Sequence, residues 1–315
     1  MKAFDCRVCE LPSNILVRGV NWVGDTIMAL PAMKALRSMF PGANLTFWAP
    51  QSLESLLRAS RIPDEIIAIP NDINRMSRPF IMSSILKKKR FDMAVLFQNA
   101  FESAFTAWLA RVPLRVGYPT DGRGPLLNVK VPLTEEIRQK HQVHYYRKIV
   151  NHLGDYFGLN SQFGAQSPDC SIFIGRELKQ AASSLLSSLC TDLESRPLVC
   201  LCPGSVNSDA KRWPADYFVE LANLLITEFN AVIIFMGATS EHPMIQSIIN
   251  ETGRENIFNL AGETDLEKSL GVMNLSDLVI SNDTGSAHLA VAAGAKTLTI
   301  FGPTIPGATA PFGKN

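Results

Sequence analysis

Four short loops hold most of the residues that could do chemistry in this 315-residue chain. The first is RGVNWVGD, in which Gly19 and Gly24 permit tight backbone paths and Asp25 stands where a helix begins. Asp25 has two interpretations. Its spacing alone favours an N-cap, whereas its place after a strand favours a carboxylate that points into a ligand cleft and accepts a proton.

The second loop is CPGS, which leads to the basic run AKRWP. Gly204 and Ser205 can offer backbone and hydroxyl donors to a phosphate, and Lys211 and Arg212 supply positive charge. The alternative is a solvated basic turn. Against it, these two cations belong to only 9 basic residues between positions 161 and 315. The GxxxxGK[ST] spacing of a P-loop is absent.

The third loop, FMGATSE, joins a predicted strand to a predicted helix. Its Glu241 could accept hydrogen bonds from a ribose hydroxyl, as acidic residues do in Rossmann sites. A carboxylate that only complements the dipole of the helix explains Glu241 equally well.

The fourth loop, SNDTGSAH, leads into a helix of small residues. Backbone N–H groups and the positive end of the helix dipole make such a helix start suitable for a diphosphate. Asp283, Thr284, Gly285 and His288 cluster here, and His288 could reach the same phosphate. The alternative for His288 is a purely structural side chain.

The elements that would position these loops are short apolar strands alternating with amphipathic helices, a pattern typical of parallel sheets covered on both faces. The predicted strands are 14–18, 45–48, 65–69, 93–97, 198–202, 231–236, 278–281 and 297–301. The predicted helices are 26–39, 52–58, 79–89, 135–157, 176–189, 214–229, 241–250, 265–273 and 286–293. Each of the four loops follows a strand, where open α/β sheets bind ligands.

A polar, turn-rich stretch at 158–169 interrupts this alternation and predicts a linker. We therefore expect two doubly wound α/β domains that face each other across a cleft. The predicted divisions are an extension at 1–13, a first domain at 14–160, a linker at 161–174 and a second domain at 175–315.

The net charge of +1 conceals two halves of opposite sign. Residues 1–160 contain 21 Lys and Arg against 13 Asp and Glu, whereas the remaining residues contain 9 against 16. The basic half suits an anionic partner. No basic stripe interleaved with aromatic residues and no nucleic-acid-binding module is present, so no nucleic-acid partner is expected.

The ends and cysteines of the chain indicate its compartment. No apolar run reaches the length of a bilayer span, and charges within the first ten residues argue against a signal peptide. The six cysteines are scattered, as in proteins of a reducing cytosol. Cys6 and Cys9 form a single CxxC, which favours an unliganded tail over a zinc site.

Five motifs in a fixed order carry a family resemblance. They are NWVGDTIMALPA, CPGSVNSDAKRWP, NLAGETDLEKSL, SNDTGSAHLAVAAG and FGPT. Together they resemble the ADP-heptose:lipopolysaccharide heptosyltransferases of glycosyltransferase family 9, over residues 14–304. The run 210–214 with Gly262, Glu263 and Thr264 is most similar to the heptosyltransferase II branch.

The resemblance implies two Rossmann-like domains in the GT-B arrangement. It also implies transfer of a heptose from ADP-heptose to a lipid-linked Kdo/heptose acceptor in the inner core of lipopolysaccharide. The anomeric centre would be inverted without an obligatory metal, and Mg²⁺ would at most stimulate the reaction. Closure of the domains would bring the two substrates together and exclude water.

Matching positions receive roles from the resemblance. Asp25 is implied as the general base that takes a proton from the acceptor hydroxyl. The implied donor-binding residues are Ser205, Lys211, Glu241, Thr264, Asp283, Thr284, Gly285 and His288. The implied acceptor-binding residues are Arg18, Asn21, Arg115, Arg123 and His141.

Two regions depart from the family pattern: the extension at 1–13 ahead of the usual start, to which we assign no role, and the C-terminus. Family members continue past the position of Asn315 into helices, one of which packs on the first domain, so we expect a second domain that is short at its C-terminus. A cytoplasmic enzyme with a peripheral contact at the inner membrane is implied, and the basic run 87–90 could meet anionic headgroups. The alternative for that run is a helix end whose lysines complement the dipole.

Two other functions remain open at this point. One is a heptosyltransferase I or another glycosyltransferase with an ADP- or UDP-sugar donor. The other is a non-catalytic protein that binds a nucleotide sugar. A dehydrogenase is disfavoured because Gly19 and Gly24 do not form GxGxxG before the first helix.

Overall fold

The computed structural model describes residues 11–70, 72–159, 167–190, 192–205 and 209–313. The strands of the N-terminal domain are β1 (Asn14–Arg18), β2 (Asn44–Pro50), β3 (Glu65–Ile69), β4 (Met93–Leu96), β5 (Leu114–Gly117) and β6 (Val129–Lys130). Its helices are α1 (Val23–Met39), α2 (Glu54–Ser60), α3 (Arg78–Lys88), α4 (Phe101–Leu109), α5 (Glu135–Gln139) and α6 (Gln142–Phe157). All six strands are parallel, in the order β3-β2-β1-β4-β5-β6.

The C-terminal domain repeats this arrangement. Its strands are β7 (Leu198–Cys202), β8 (Val232–Phe235), β9 (Ile257–Asn259), β10 (Leu278–Asn282) and β11 (Thr297–Ile300). Its helices are α7 (Arg176–Leu189), α8 (Ala215–Phe229), α9 (His242–Thr252), α10 (Leu266–Leu275), α11 (Gly285–Ala292) and α12 (Pro306–Thr309). The order β11-β10-β7-β8-β9 is again parallel, which confirms the prediction of two doubly wound domains.

The predicted long helix at 135–157 is wrong. The chain leaves the helical conformation at Lys140 and His141, which are extended, so α5 and α6 are separate helices. The cause is local capping, because the His141 ring accepts a hydrogen bond from the Val143 N–H at 3.2 Å and thereby starts α6. Helices α4 and α12 and the short strands β5, β6 and β9 were not predicted at all.

Helix α1 joins the two domains as well as covering the first sheet. Its residues from Thr26 to Met33 are buried, because one side packs on the strands and on α6 while another side packs on α11. The apolar core is consequently continuous across the boundary, and Ile27 of one domain shares it with Leu289 and Ala290 of the other. The relative position of the domains therefore depends on apolar packing.

Two other chain segments bridge the domains. In the part of the predicted linker that is described, Asp169 pairs with Lys34 of α1 at 2.6 Å, and the Ile172 N–H donates to the Ala292 carbonyl of α11 at 2.7 Å. Near the other end of the chain, the Ala310 carbonyl lies 2.8 Å from His141 Nε2. The stretch 160–166 and the Cys6–Cys9 pair lie outside the described residues.

Three aspartates fasten the amino ends of neighbouring parallel strands. Asp64 accepts a hydrogen bond from the Leu45 N–H at 2.7 Å, and Asp277 accepts one from the Leu198 N–H at 2.8 Å. Asp92 accepts from the backbone N–H groups of Ser13 and Asn14 at 2.9 and 2.8 Å. In each pair the backbone N–H of the aspartate also donates to a carbonyl of the neighbouring strand. Each aspartate is therefore joined to the start of that strand through both its side chain and its backbone.

We expect Asp92→Ala to lower the free energy of unfolding by about 1–3 kcal/mol, because it leaves the first N–H groups of β1 without their acceptor. Urea denaturation would measure the change. The exposed Asp72→Ala is the matched control and should leave the midpoint unchanged. An unchanged midpoint for Asp92→Ala would show that these hydrogen bonds do not stabilise the sheet.

Candidate active site

A cleft of about 990 Å³ lies between the domains, at the carboxyl ends of their strands. This edge of each sheet is where doubly wound folds bind ligands. The structure brings nine of the sequence candidates to this one cleft: Asp25, Ser205, Lys211, Glu241, Thr264, Asp283, Thr284, Gly285 and His288. Residues from both domains therefore face the same space.

Helices α1 and α11 meet in this cleft through their amino ends. A Cβ atom on Gly24 would lie 2.9 Å from His288 Cδ2, and one on Gly285 would lie 2.9 Å from the Cβ of Val23. Such distances are shorter than side chains tolerate, so both positions require glycine for the domains to come this close. Asp25, which follows Gly24, is held beside the loop of the opposite domain.

Asp25 lies in the first turn of α1 rather than at its N-cap. The N-cap is Trp22, which forms no side-chain capping hydrogen bond, so the capping interpretation of Asp25 does not hold. The Tyr146 hydroxyl of α6 donates to Asp25 Oδ1 at 3.4 Å. Burial raises the pKa of Asp25 above its ordinary value, while Tyr146 and the charge of Lys211 act in the opposite direction.

Lys211 and Asp283 form an ion pair across the floor of the cleft. Lys211 Nζ lies 3.0 Å from Asp283 Oδ2 and 3.2 Å from the Asp283 carbonyl oxygen. The Thr304 hydroxyl donates to the same carboxylate oxygen at 2.5 Å. Asp283 is buried, and these contacts hold its carboxylate and the ammonium of Lys211 beside the start of α11.

The carboxylate of Glu241 packs against the backbone of two glycines, Gly204 and Gly237. Its Oε2 accepts a hydrogen bond from the Ala238 N–H at 2.7 Å, whereas its Oε1 is buried without a hydrogen-bond partner. A Cβ atom on Gly204 would lie 2.0 Å from Oε1, so that glycine makes room for the carboxylate. A buried acceptor without a partner is costly, and a ligand hydroxyl in the cleft would relieve that cost.

His288 is buried in the first turn of α11. Burial lowers the pKa of its imidazole to about 4, although the charge of Asp283 acts in the opposite direction. The ring is therefore neutral at physiological pH. Its Nδ1 is buried without a hydrogen-bond partner, so the ring retains unused hydrogen-bonding capacity in the cleft.

The remaining donor candidates lie on the walls of the cleft. Ser205 is buried, and its carbonyl accepts a hydrogen bond from Arg212 at 2.9 Å. Thr264 is half-buried and shares a hydrogen bond of 2.9 Å with the Ser269 hydroxyl. Asn282 joins the loops, because its side chain accepts from the Trp213 N–H at 3.1 Å and donates to the Pro203 carbonyl at 2.7 Å.

Three of these residues were not singled out in the sequence. Asn282 and Thr304 belong to the motifs SNDTGSAH and FGPT, so membership of a motif was a signal that could have found them. Tyr146 gave no such signal, because it looks like any aromatic residue on the buried face of a helix.

Two predicted acceptor residues line a second, smaller pocket of about 180 Å³ in the N-terminal domain. The guanidinium of Arg18 donates to Asn21 Oδ1 at 2.8 Å and lies 4.9 Å from the centre of the Trp48 ring. Arg78 and Glu102 line the same pocket and form a bidentate ion pair of 2.6 and 2.7 Å. The pocket therefore combines two guanidinium groups with one carboxylate.

The structure does not bring the other three acceptor candidates to either pocket. Arg123 is completely buried and donates to the carbonyls of Tyr118 and Gln98 and to Asn99. Arg115 likewise donates to backbone carbonyls, among them that of Leu126 at 2.6 Å. Both guanidinium groups thus donate to backbone carbonyls of their own domain, and these contacts use donors that a ligand would need.

His141 contacts the C-terminal domain instead of a ligand pocket. Its Nδ1 caps α6, its Nε2 lies 2.8 Å from the Ala310 carbonyl, and its ring lies 5.1 Å from that of Phe312. Both ring nitrogens are therefore used in contacts within the protein, and one of these contacts connects the domains.

No group of three or more His, Cys, Asp or Glu side chains within the described ranges is arranged to hold a metal ion. The four described cysteines, at positions 170, 190, 200 and 202, are free thiols. The prediction of a reaction without an obligatory metal remains a prediction.

The chain is similar to several proteins of known activity or structure. It is 28% identical to lipopolysaccharide heptosyltransferase 2 of Salmonella typhimurium over 95% of this chain and 85% of that protein. It is also 28% identical to lipooligosaccharide heptosyltransferase 2 of Haemophilus influenzae, over 95% and 86%. The structure of ADP-heptose lipopolysaccharide heptosyltransferase II from Escherichia coli matches it with a TM-score of 0.81 and 27% identity, covering 95% of this chain and 88% of that one.

The match to the E. coli structure confirms the GT-B arrangement that the sequence predicted. The family model for glycosyltransferase family 9 (heptosyltransferase) matches residues 82–315, which is most of the chain. The chain therefore belongs to glycosyltransferase family 9.

Proposed function

We propose that this chain transfers a heptose from ADP-heptose to an acceptor sugar of the inner core of lipopolysaccharide, as a heptosyltransferase of type II. The observation that carries the proposal is the composition of the cleft. Unpartnered atoms of Glu241 and His288, the ammonium of Lys211 and the start of α11 lie on one side, and the carboxylate of Asp25 lies on the other. The named relatives of the chain are heptosyltransferases of this type.

The donor would bind to the C-terminal domain. The N–H groups at the start of α11 and the ammonium of Lys211 suit a diphosphate, and Glu241 Oε1 suits a ribose hydroxyl. Thr264 and Ser205 would complete the walls around the nucleotide. As the bond from the anomeric carbon to the diphosphate breaks, the same groups would stabilise the negative charge that collects on ADP.

The acceptor would enter from the N-terminal domain. Its hydroxyl oxygen attacks the anomeric carbon on the face opposite the diphosphate, so the configuration at that carbon inverts as the bond to the diphosphate breaks. Asp25 takes the proton of the attacking hydroxyl. The raised pKa makes Asp25 a stronger base than an exposed aspartate. No step requires an obligatory metal in this proposal, although Mg²⁺ could stimulate by binding the diphosphate.

The small pocket around Arg18 and Asn21 is the proposed acceptor subsite. It lies beside the loop that ends in Asp25. The terminal nitrogens of Arg18 donate to the Gly19 and Trp48 carbonyls and to Asn21, but its Nε is a buried donor without a hydrogen-bond partner and suits an acidic group of a phosphorylated, lipid-linked Kdo/heptose acceptor. Because that acceptor is lipid-linked, we also propose a cytoplasmic location with peripheral contact at the inner membrane. Lys87, Lys88 and Arg90 are exposed, whereas Lys89 pairs with Glu65. The basic run therefore has cations left to meet anionic headgroups.

Asp25→Ala should reduce transfer from ADP-heptose by about 100-fold or more, since a general base typically contributes that much. Binding of ADP, measured by calorimetry, should persist because the donor residues belong to the other domain. Asp155→Ala, an exposed change on α6, is the control and should keep full activity. Retained transfer by Asp25→Ala would remove Asp25 from the mechanism.

Tyr146→Phe should move the acidic limb of the profile of kcat/KM against pH to higher pH. The Tyr146 hydroxyl lowers the pKa of Asp25, so its removal raises that pKa further, and the base becomes protonated at a higher pH. Tyr156→Phe, on the exposed part of α6, should leave the limb in place. A limb that shifts to lower pH, or does not shift, would contradict this relation.

Gly24→Ala should lower kcat/KM for transfer by about 100-fold, because the new methyl group would meet His288 at 2.9 Å and displace Asp25 from the donor loop by a fraction of an ångström or more. The matched control is Gly42→Ala, since nothing lies within 4 Å of a Cβ atom there. Equal activity of both variants would mean that the contact between α1 and α11 does not position the reaction.

A further inference from the structure

Helices α3 and α4 present aromatic side chains to solvent on the outer surface of the N-terminal domain. Phe101, Phe105 and Trp108 follow one another along one face of α4, with successive ring centres 5.7 and 6.0 Å apart in stacked geometry. Phe80 of α3 meets Phe105 edge-on at 6.1 Å. We refer to these four residues as the aromatic ridge.

The aromatic ridge is exposed to an extent that core packing does not explain. Phe80, Phe101 and Trp108 are 57%, 47% and 48% exposed. Met76, which precedes α3, is 86% exposed, and Ile81, the residue after Phe80, is 43% exposed. Scattered apolar residues on a surface are ordinary, but a contiguous group of this kind marks a surface that binds a partner. The rings of the aromatic ridge contact one another, so they form one continuous apolar surface.

Basic residues surround the aromatic ridge. Lys87 and Lys88 lie in the last turn of α3, Arg90 follows that helix, Arg111 follows α4, and Arg75 precedes α3. All five are exposed, and within the described ranges none of them forms an ion pair. The acidic residues nearby are Glu102, which Arg78 neutralises, Glu65, which pairs with Lys89, and the exposed Asp72 and Asp92. Asp92 accepts hydrogen bonds from the N–H groups of Ser13 and Asn14. The rim of the ridge is therefore strongly cationic.

The start of the aromatic ridge adjoins the pocket around Arg18. Arg78 is the first residue of α3 and Glu102 the second of α4, and their ion pair forms one wall of that pocket. Phe101 directly precedes Glu102. A partner that covers the ridge would consequently lie next to the proposed acceptor subsite.

We infer that the aromatic ridge and its basic rim form a docking surface for an anionic phospholipid bilayer. Aromatic rings are favoured at the boundary between headgroups and acyl chains, and lysine and arginine are attracted to anionic lipid. Among the described residues no helix is both long and apolar enough to cross a membrane. The inferred contact is with the surface of the bilayer, since the exposed rings and cations lie on the outside of α3 and α4.

A second copy of this chain is a poorer partner for the same surface. A symmetric contact through the aromatic ridge would place the two cationic rims against each other, and like charges at an interface oppose association. Anionic lipid headgroups would instead attract the basic residues around the ridge. The inference deepens the peripheral membrane contact contained in the proposed function, and it rests on that proposal for the identity of the lipid-linked acceptor.

The test is sedimentation of the full chain with vesicles of phosphatidylglycerol and phosphatidylethanolamine. Wild type should co-sediment with these vesicles and not with vesicles of phosphatidylcholine alone. The triple variant Phe80→Ser, Phe101→Ser, Trp108→Ser should bind the anionic vesicles about tenfold more weakly or worse. A matched control on α8, Tyr217→Ser, Leu224→Ser, Phe229→Ser, removes side chains that are 48%, 55% and 59% exposed and should bind like wild type.

A second triple variant, Lys87→Gln, Lys88→Gln, Arg90→Gln, separates charge from insertion and should weaken the dependence of binding on salt. Circular dichroism and the thermal midpoint would verify that all variants fold. Failure of wild type to bind, or equal binding by the ridge variant, would overturn the inference. It would also be overturned if ultracentrifugation showed wild-type dimers that the ridge variant lacks.

Transfer to a water-soluble acceptor without its lipid distinguishes this inference from the proposed function. Wild type and the ridge variant should transfer heptose to that acceptor equally well, because the ridge lies outside both pockets. If wild type transfers nothing, the proposed function fails while the vesicle result stands. If wild type transfers heptose but does not bind vesicles, only the docking surface fails.

Discussion

The site depends on the close approach of two helix starts. Helices α1 and α11 come together only because Gly24 and Gly285 carry no side chains, and this contact sets the distance between Asp25 and the opposite loop. Each helix start carries a partial positive charge, so two of them in one place attract an anion more strongly than either alone. The packing that fixes the domains therefore also creates the potential that favours a diphosphate.

Burial tunes the two titratable groups at this contact in complementary directions. It raises the pKa of Asp25, which strengthens the base, and it lowers the pKa of His288, which keeps the ring neutral. A cationic imidazole so close to the carboxylate would reduce its basicity. Lys211 has the same effect on Asp25, but its charge is partly balanced by Asp283 at 3.0 Å. By balancing the charge of Lys211, Asp283 thus helps to keep the pKa of Asp25 raised.

The sequence was sufficient to predict the parts of the site that follow strands. Asp25, Glu241 and His288 lie in loops or first helical turns that come directly after strands. Their positions follow from strand order, because parallel strands bring their carboxyl ends to one edge. Tyr146 was missed because it reaches Asp25 across 121 positions of sequence, from a helix face that periodicity identifies only as buried.

Arg115 and Arg123 show a different limit of sequence reasoning. Their charge suggested an anionic ligand, but the structure uses their donors for backbone carbonyls. The break between α5 and α6 was missed for a related reason, since a histidine that accepts a backbone N–H at a helix start resembles any other histidine in sequence. Hydrophobic periodicity encodes neither kind of contact, because it records which residues are buried and not which polar atoms pair.

The aspartates at the amino ends of the strands have a consequence for the order of assembly. Asp64 and Leu45 are separated by 19 positions, whereas Asp92 and Asn14 are separated by 78 and Asp277 and Leu198 by 79. Closing the longer loops costs about 1 kcal/mol more chain entropy, so on topological grounds the outer pair β2 and β3 forms before the central pair β1 and β4. The central pairs border the ligand cleft. A nascent polypeptide would thus acquire its binding crevice last, after most of each sheet is in place.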